Sequence, residues 1–234
     1  MKKYEFTGEI KFLFGRKLFQ IKALISFGNV SVGDVGGWIE NENNLSHNGD
    51  AWVYGNAKVY GDAKVYGDAW VYGNAKVYGD AKVYGDAKVY GDAEVYGNAK
   101  VYGDAKVYGD AWVCGNAEVC GNACVCGNAE VRGNAEVYGN AKVYGDAKVC
   151  GNACVCGNAD YTTIKGFGSH FRNTTFFRCK DGLIRTACGC FYGTIEEFRA
   201  EVNDTHRTSK KAKEYLMIAD LMEFHFMKEE GRNE

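Results

Sequence analysis

The chain has 234 residues, a formal charge of −2 at pH 7, no proline and 31 glycines. So balanced a charge excludes nucleic-acid binding driven by bulk charge, and no stretch reaches the roughly 20 apolar residues of a membrane helix. The opening MKKYEFTGEIKFLFG sets Glu5 and Glu9 where a secretory leader carries its apolar run. The ten cysteines are therefore expected as reduced thiols in a cytoplasmic protein.

Texture divides the chain into three regions: 1–48, 49–159 and 160–234. In the first, YEFTGEIKFLFGRKLFQIKALISF predicts two or three strands, with Gly8 and Gly15-Arg16 at turns. These strands form an N-terminal β cap and lead into the second region. That region is nineteen successive hexads of the form G-[DN]-A-x-V-[YC], with Arg132 in one Tyr/Cys place and the last hexad only GNA at 157–159. Ala and Val alternate with x and Tyr or Cys, so Ala and Val share one side of a short strand. Gly and Asp or Asn follow, the residues that best tolerate positive φ, and each hexad becomes a strand plus a corner. One hexad cannot close a core, so the array must coil and stack. The expected fold is mainly β: a three-sided parallel β-helix with a small α+β C-terminal domain.

The corners give the length of one coil. Asn replaces Asp at 56 and 74, and again at 98, 116, 134 and 152, with a spacing of eighteen inside each group. Three hexads per coil put these asparagines in columns, where their amides can form a ladder, whereas Asp above Asp repels. The hexad at 87–92 is one unit extra and rotates the downstream pattern by one side, which separates Trp112 from Trp52 and Trp70. Nineteen hexads make about six coils, roughly 30 Å tall at about 4.8 Å each.

The third region predicts a hairpin around Asp181-Gly182. Thr194 and Glu197 make a capping box that starts a helix over 195–204. A second helix is predicted over 209–228, with Tyr215, Leu216, Ile218, Ala219, Leu221, Met222 and Phe226 as its apolar surface.

FGNVSVGDVGGWIENENNLS, running directly into GDAWVYGN, resembles the opening of the YdcK-like bacterial and prophage hexapeptide-repeat proteins. CGCFYGTIEEFRAEVNDTH is similar to a module that follows such repeats in phage-like proteins. The resemblance implies a β-helix and a phage or prophage accessory role, and it supplies no functional residues. Ordinary parallel crossovers are right-handed, but the hexads resemble the [LIV]-x-x-x-[STAV]-x repeats of left-handed β-helices, which implies a left-handed coil.

Hexapeptide acyltransferases use a histidine base at a groove between subunits of a trimer. Here no histidine falls between His47 and His170, and no loop interrupts the hexads. Outward cysteines form a second group. Cys114 and Cys150 share a column with Arg132 between them, and Tyr138 separates Cys120 from Cys156. Partners two coils apart, about 9–10 Å, lie beyond disulfide reach. Cys124 and Cys126 face outward on one strand, so a metal there needs help from a neighbour. Cys179, Cys188 and Cys190 with His206 are weak zinc candidates, since C-x-C is not the usual knuckle spacing. A two-residue turn would set Cys179, Ile184 and Cys188 beside Phe177 on one hairpin face, and Arg178, Lys180 and Arg185 on the other. With Lys165 and Arg172 nearby, that basic face is the candidate surface for an anionic ligand, nucleic acid or partner.

The reading is a non-catalytic scaffold or binding module with no cofactor and no membrane contact. It engages a protein partner, itself or an anionic ligand; the alternative is a trimeric acyltransferase-like enzyme.

Overall fold

The computed structural model describes residues 1–168 and 171–227. Strand β1 (Tyr4–Leu13) pairs antiparallel with β2 (Arg16–Ala23), and β2 with β3 (Val35–Ile39). Gly8 makes no turn: it lies within β1, where the register shifts between Phe6 and Ile10. Then come eighteen two-residue strands, from β4 (Trp52–Val53) to β21 (Cys154–Val155). Each of the first fifteen pairs in parallel with the strand eighteen residues on, as Lys58 does with Lys76 and Lys76 with Glu94. Three ladders result. β3 pairs in parallel with Lys58–Val59 and begins one ladder before the first hexad, so the solenoid has about seven turns.

Ala and Val of the hexads are fully buried, from Ala51 and Val53 to Ala153 and Val155. Enclosing each valine is worth about 1.5–3 kcal/mol over leaving it exposed. The corners need glycine for two reasons. Gly91 has φ +72°, and a Cβ on it would lie 2.9 Å from the Gly109 amide nitrogen of the next coil.

The N-terminal end is closed by polar side chains. Lys3, 1% exposed, donates through Nζ to the carbonyls of Gly49 (3.1 Å) and Ala51 (2.7 Å). Asn44 Nδ2 donates to the carbonyls of Gly61 and Ala63, both at 2.9 Å, while its Oδ1 accepts from the amides of Glu40 and Asn41. Trp52, Tyr4 and Leu45 fill the space behind them.

The C-terminal end carries a four-stranded antiparallel sheet, β22 (Tyr161–Phe167), β23 (Arg172–Arg178), β24 (Ile184–Cys188) and β25 (Phe191–Thr194). Phe177, Cys179, Ala187 and Tyr161 join the solenoid core. Thr175 Oγ1 accepts from the Lys148 amide at 2.9 Å, and Asn158 Oδ1 from the Lys142 amide at 2.8 Å. Phe176 on the other face packs with helices α1 (Ile195–His206) and α2 (Lys210–Phe226). Thr194 and Glu197 form the expected capping box at the start of α1. Residue 228, the expected end of the second helix, lies outside the described residues. No described helix is long and apolar enough to cross a membrane.

Candidate functional site

The outer faces of the solenoid are columns of side chains that pair with one another. Tyr60, Tyr78 and Tyr96 stack with centroids 5.0 and 4.9 Å apart, and Tyr66–Tyr84–Tyr102 and Tyr72–Tyr90–Tyr108 do the same. Burial pushes the Tyr60 phenol up to about 12. Lys76 pairs with Glu94 and Lys100 with Glu118, each at 2.7 Å and one coil apart. The amide ladder runs Asn98, Asn116, Asn134, Asn152 at 3.0, 3.0 and 3.3 Å. Trp52 pairs with Trp70, whereas Trp112 sits in another ladder between Glu94 and Glu130. Asp50, Asp68, Asp86 and Asp104 do stand in one column, and the groove they line is shared with Lys88 and Lys106.

His47 belongs to the N-terminal cap. Its ring stacks on Tyr4 at 4.3 Å and its Nδ1 accepts from the Lys3 amide at 3.2 Å.

The C-terminal hairpin differs from expectation by one residue. The Cys179 amide donates to the Leu183 carbonyl at 2.9 Å, leaving Lys180-Asp181-Gly182 as a three-residue loop with Gly182 at φ +79°. Arg178 therefore pairs with Ile184 and Phe177 with Arg185. A one-residue slip moves every side chain of one strand to the other face. Cys179 faces the solenoid with Phe177, whereas Cys188 and Ile184 face the helices with Phe176. Arg178 and Arg185 likewise lie on opposite faces, so the expected shared basic face does not form.

Four of the five basic candidates have carboxylate partners. Lys165 pairs with Asp146 and Lys180 with Glu136, both at 2.7 Å, and Arg185 with Asp181 at 2.6 Å. Arg178 reaches Asp160 at 3.4 Å and donates to the Phe226 carbonyl at 2.7 Å. Arg172 has no carboxylate partner among the described residues, and it lines a cleft of about 380 Å³. The cleft walls include Phe191, Phe198 and Tyr215, with Glu201 also present.

Cys188, Cys190 and His206 line this same cleft, and Cys179 is on the far side of the sheet. Burial pushes the Cys179 thiol up. His206 stacks on Tyr215 with centroids 5.8 Å apart, and the Cys188 sulfur accepts from Thr174 Oγ1 at 3.1 Å. No group of three or more His, Cys, Asp or Glu side chains among the described residues is arranged to hold a metal ion. The contributions of Phe198, Glu201 and Tyr215 to the cleft had no local sequence signal, because they depend on how the helices dock.

Fold and surface together define a parallel β-solenoid repeat protein with a capping antiparallel sheet and two helices. No protein-family model matches the chain, and no curated protein matches it.

Proposed function

We propose that the chain is a non-catalytic binding scaffold, in which the solenoid is a stiff support and the cleft beside Arg172 receives an anionic group of a ligand or protein partner. The placement of Arg172 carries this reading: a guanidinium without a carboxylate partner among the described residues, on the wall of a cleft lined by aromatic rings. A planar guanidinium pairs bidentately with carboxylate or phosphate, and apolar walls strengthen that pairing. Glu201 in the same cleft favours an anion that also offers a donor over a multiply charged one. The resemblance to prophage repeat proteins makes a host component the partner class in this reading.

The test is a thermal-shift series on the full chain with acetate, phosphate, sulfate and amino acids. One or more should stabilise the chain, Arg172→Ala should abolish the shift, and Lys180→Ala should leave it unchanged. A series with no shift, or a shift that survives Arg172→Ala, overturns the proposal. Acyl transfer rests on the repeat class alone, and His47, the nearest histidine to the coils in sequence, is engaged within the cap. Acyl-CoA is expected to give no stabilisation.

A further inference from the structure

Each tyrosine stack is continued by a cysteine one coil further on: the amides of Tyr96, Tyr102 and Tyr108 donate to the carbonyls of Val113, Val119 and Val125, which sets Cys114, Cys120 and Cys126 next in the three columns. The third junction differs, because Cys124 lies on the same strand and also faces outward. Cys124 and Cys126 thus lie two residues apart on one side of the strand, and the register sets Lys106 and Tyr108 of the preceding coil beside them. We propose that Cys124 and Cys126 form a binding site for a thiophilic monovalent cation of the cuprous class, held between two thiolates one coil beyond Tyr108.

Three arguments converge on that class. The first is span. Residues two apart on a strand are separated by about 6.6 Å and point the same way, which is near the outer limit of about 6.8 Å between Cα atoms for a disulfide. Two metal–sulfur bonds of about 2.3 Å bridge a wider gap than an S–S bond does. The second is donor type and number. Thiolates select soft cations, and no described cluster of three or more His, Cys, Asp or Glu side chains offers the fuller set that a tetrahedral ion takes.

The third argument is charge. Binding breaks two S–H bonds, forms two metal–sulfur bonds and releases two protons, so a bis-thiolate complex of a monovalent ion carries one net negative charge. Cys124 stands in its ladder between Lys106 and Lys142, so a lysine on each adjacent coil is available to offset that charge.

The sequence ACVCGN occurs again at 153–158 and makes an internal control. Tyr138 meets Cys154 at 3.3 Å and takes the place in the column that Tyr108 takes at the first pair. The surroundings are acidic instead: Cys154 pairs in register with Glu136, and the Cys156 thiol donates to Asp160 at 2.9 Å. An anionic complex is opposed there, so the second pair should bind more weakly.

The experiment is a competition titration of the fully reduced full chain with cuprous ion buffered by bicinchoninate, with circular dichroism confirming the fold of each variant. The wild type should withhold one tight equivalent from the chelator. Cys124→Ser and Cys126→Ser should each weaken that binding at least tenfold, while Cys114→Ser and Cys154→Ser retain it. The proposal fails if the wild type withholds none, if both folded variants at 124 and 126 keep the tight equivalent, or if Cys154→Ser removes it.

Discussion

The N-terminal end of the solenoid is closed by buried polar side chains, and the C-terminal end by one face of an antiparallel sheet. Both covers meet the same need, since an open end coil exposes an apolar interior and unpaired backbone groups together. At the N-terminus Lys3 and Asn44 each supply two hydrogen bonds to carbonyls of the end coils, with Trp52 and Leu45 behind them. At the C-terminus Phe177 and Ala187 supply the apolar contact, and Thr175 and Asn158 accept from end-coil amides. The consequence is functional. A plug of side chains ends where it seals, whereas a sheet keeps a second face, on which α1 and α2 build the Arg172 cleft.

Substitutions at the two ends test that contrast. Phe177→Ala should have the largest effect, about 3–5 kcal/mol, because it opens a cavity where sheet and solenoid meet; urea unfolding measures it. Asn44→Ala should cost about 2–3 kcal/mol by orphaning two carbonyls and two amides together. The same assay should give about 1–2 kcal/mol for Thr175→Val, which keeps the shape and strands only the Lys148 amide. If Thr175→Val proved as costly as Asn44→Ala, the distinction between a polar plug and an apolar lid would collapse.

The smallest effect is a pH dependence confined to the N-terminal end. Desolvation brings the Lys3 ammonium down to about 8, partly offset by Asp50 and Asp68. The unfolded lysine keeps its proton to about 10.4, so from pH 8 to 10 the unfolded chain binds more protons and stability rises with pH. Lys3→Met should flatten that rise in unfolding midpoints measured at pH 8 and 9.5. Above about pH 10 the buried phenols act oppositely. Burial holds Tyr60 up at about 12 and raises Tyr4 further, so unfolded tyrosines ionise first and stability falls.

Much of the solenoid was legible because its signals are local and repeated. The inward Ala and Val, the eighteen-residue coil, the amide ladder from Asn98 to Asn152 and the displacement of Trp112 follow from alternation and spacing. The cleft was not legible for the same reason in reverse. Asp181-Gly182 is a good turn for either loop length, so the dipeptide itself does not select the longer one. That choice sends Cys179 inward and Cys188 toward the helices, and it parts Arg178 from Arg185.

The repeat alone dictates a stacked coil, because a hexad with one apolar side and a glycine corner has no other way to bury its valines. It also dictates that Cys124 and Cys126 face outward together, through the two-residue period of a strand. Their place one coil beyond Tyr108 follows from the eighteen-residue period, whereas the plug made by Lys3 and the position of Arg172 on the cleft wall were decided by tertiary structure. The latter two depend on residues far apart in the chain, or on a register that differs by a single residue, and no local pattern encodes such distances.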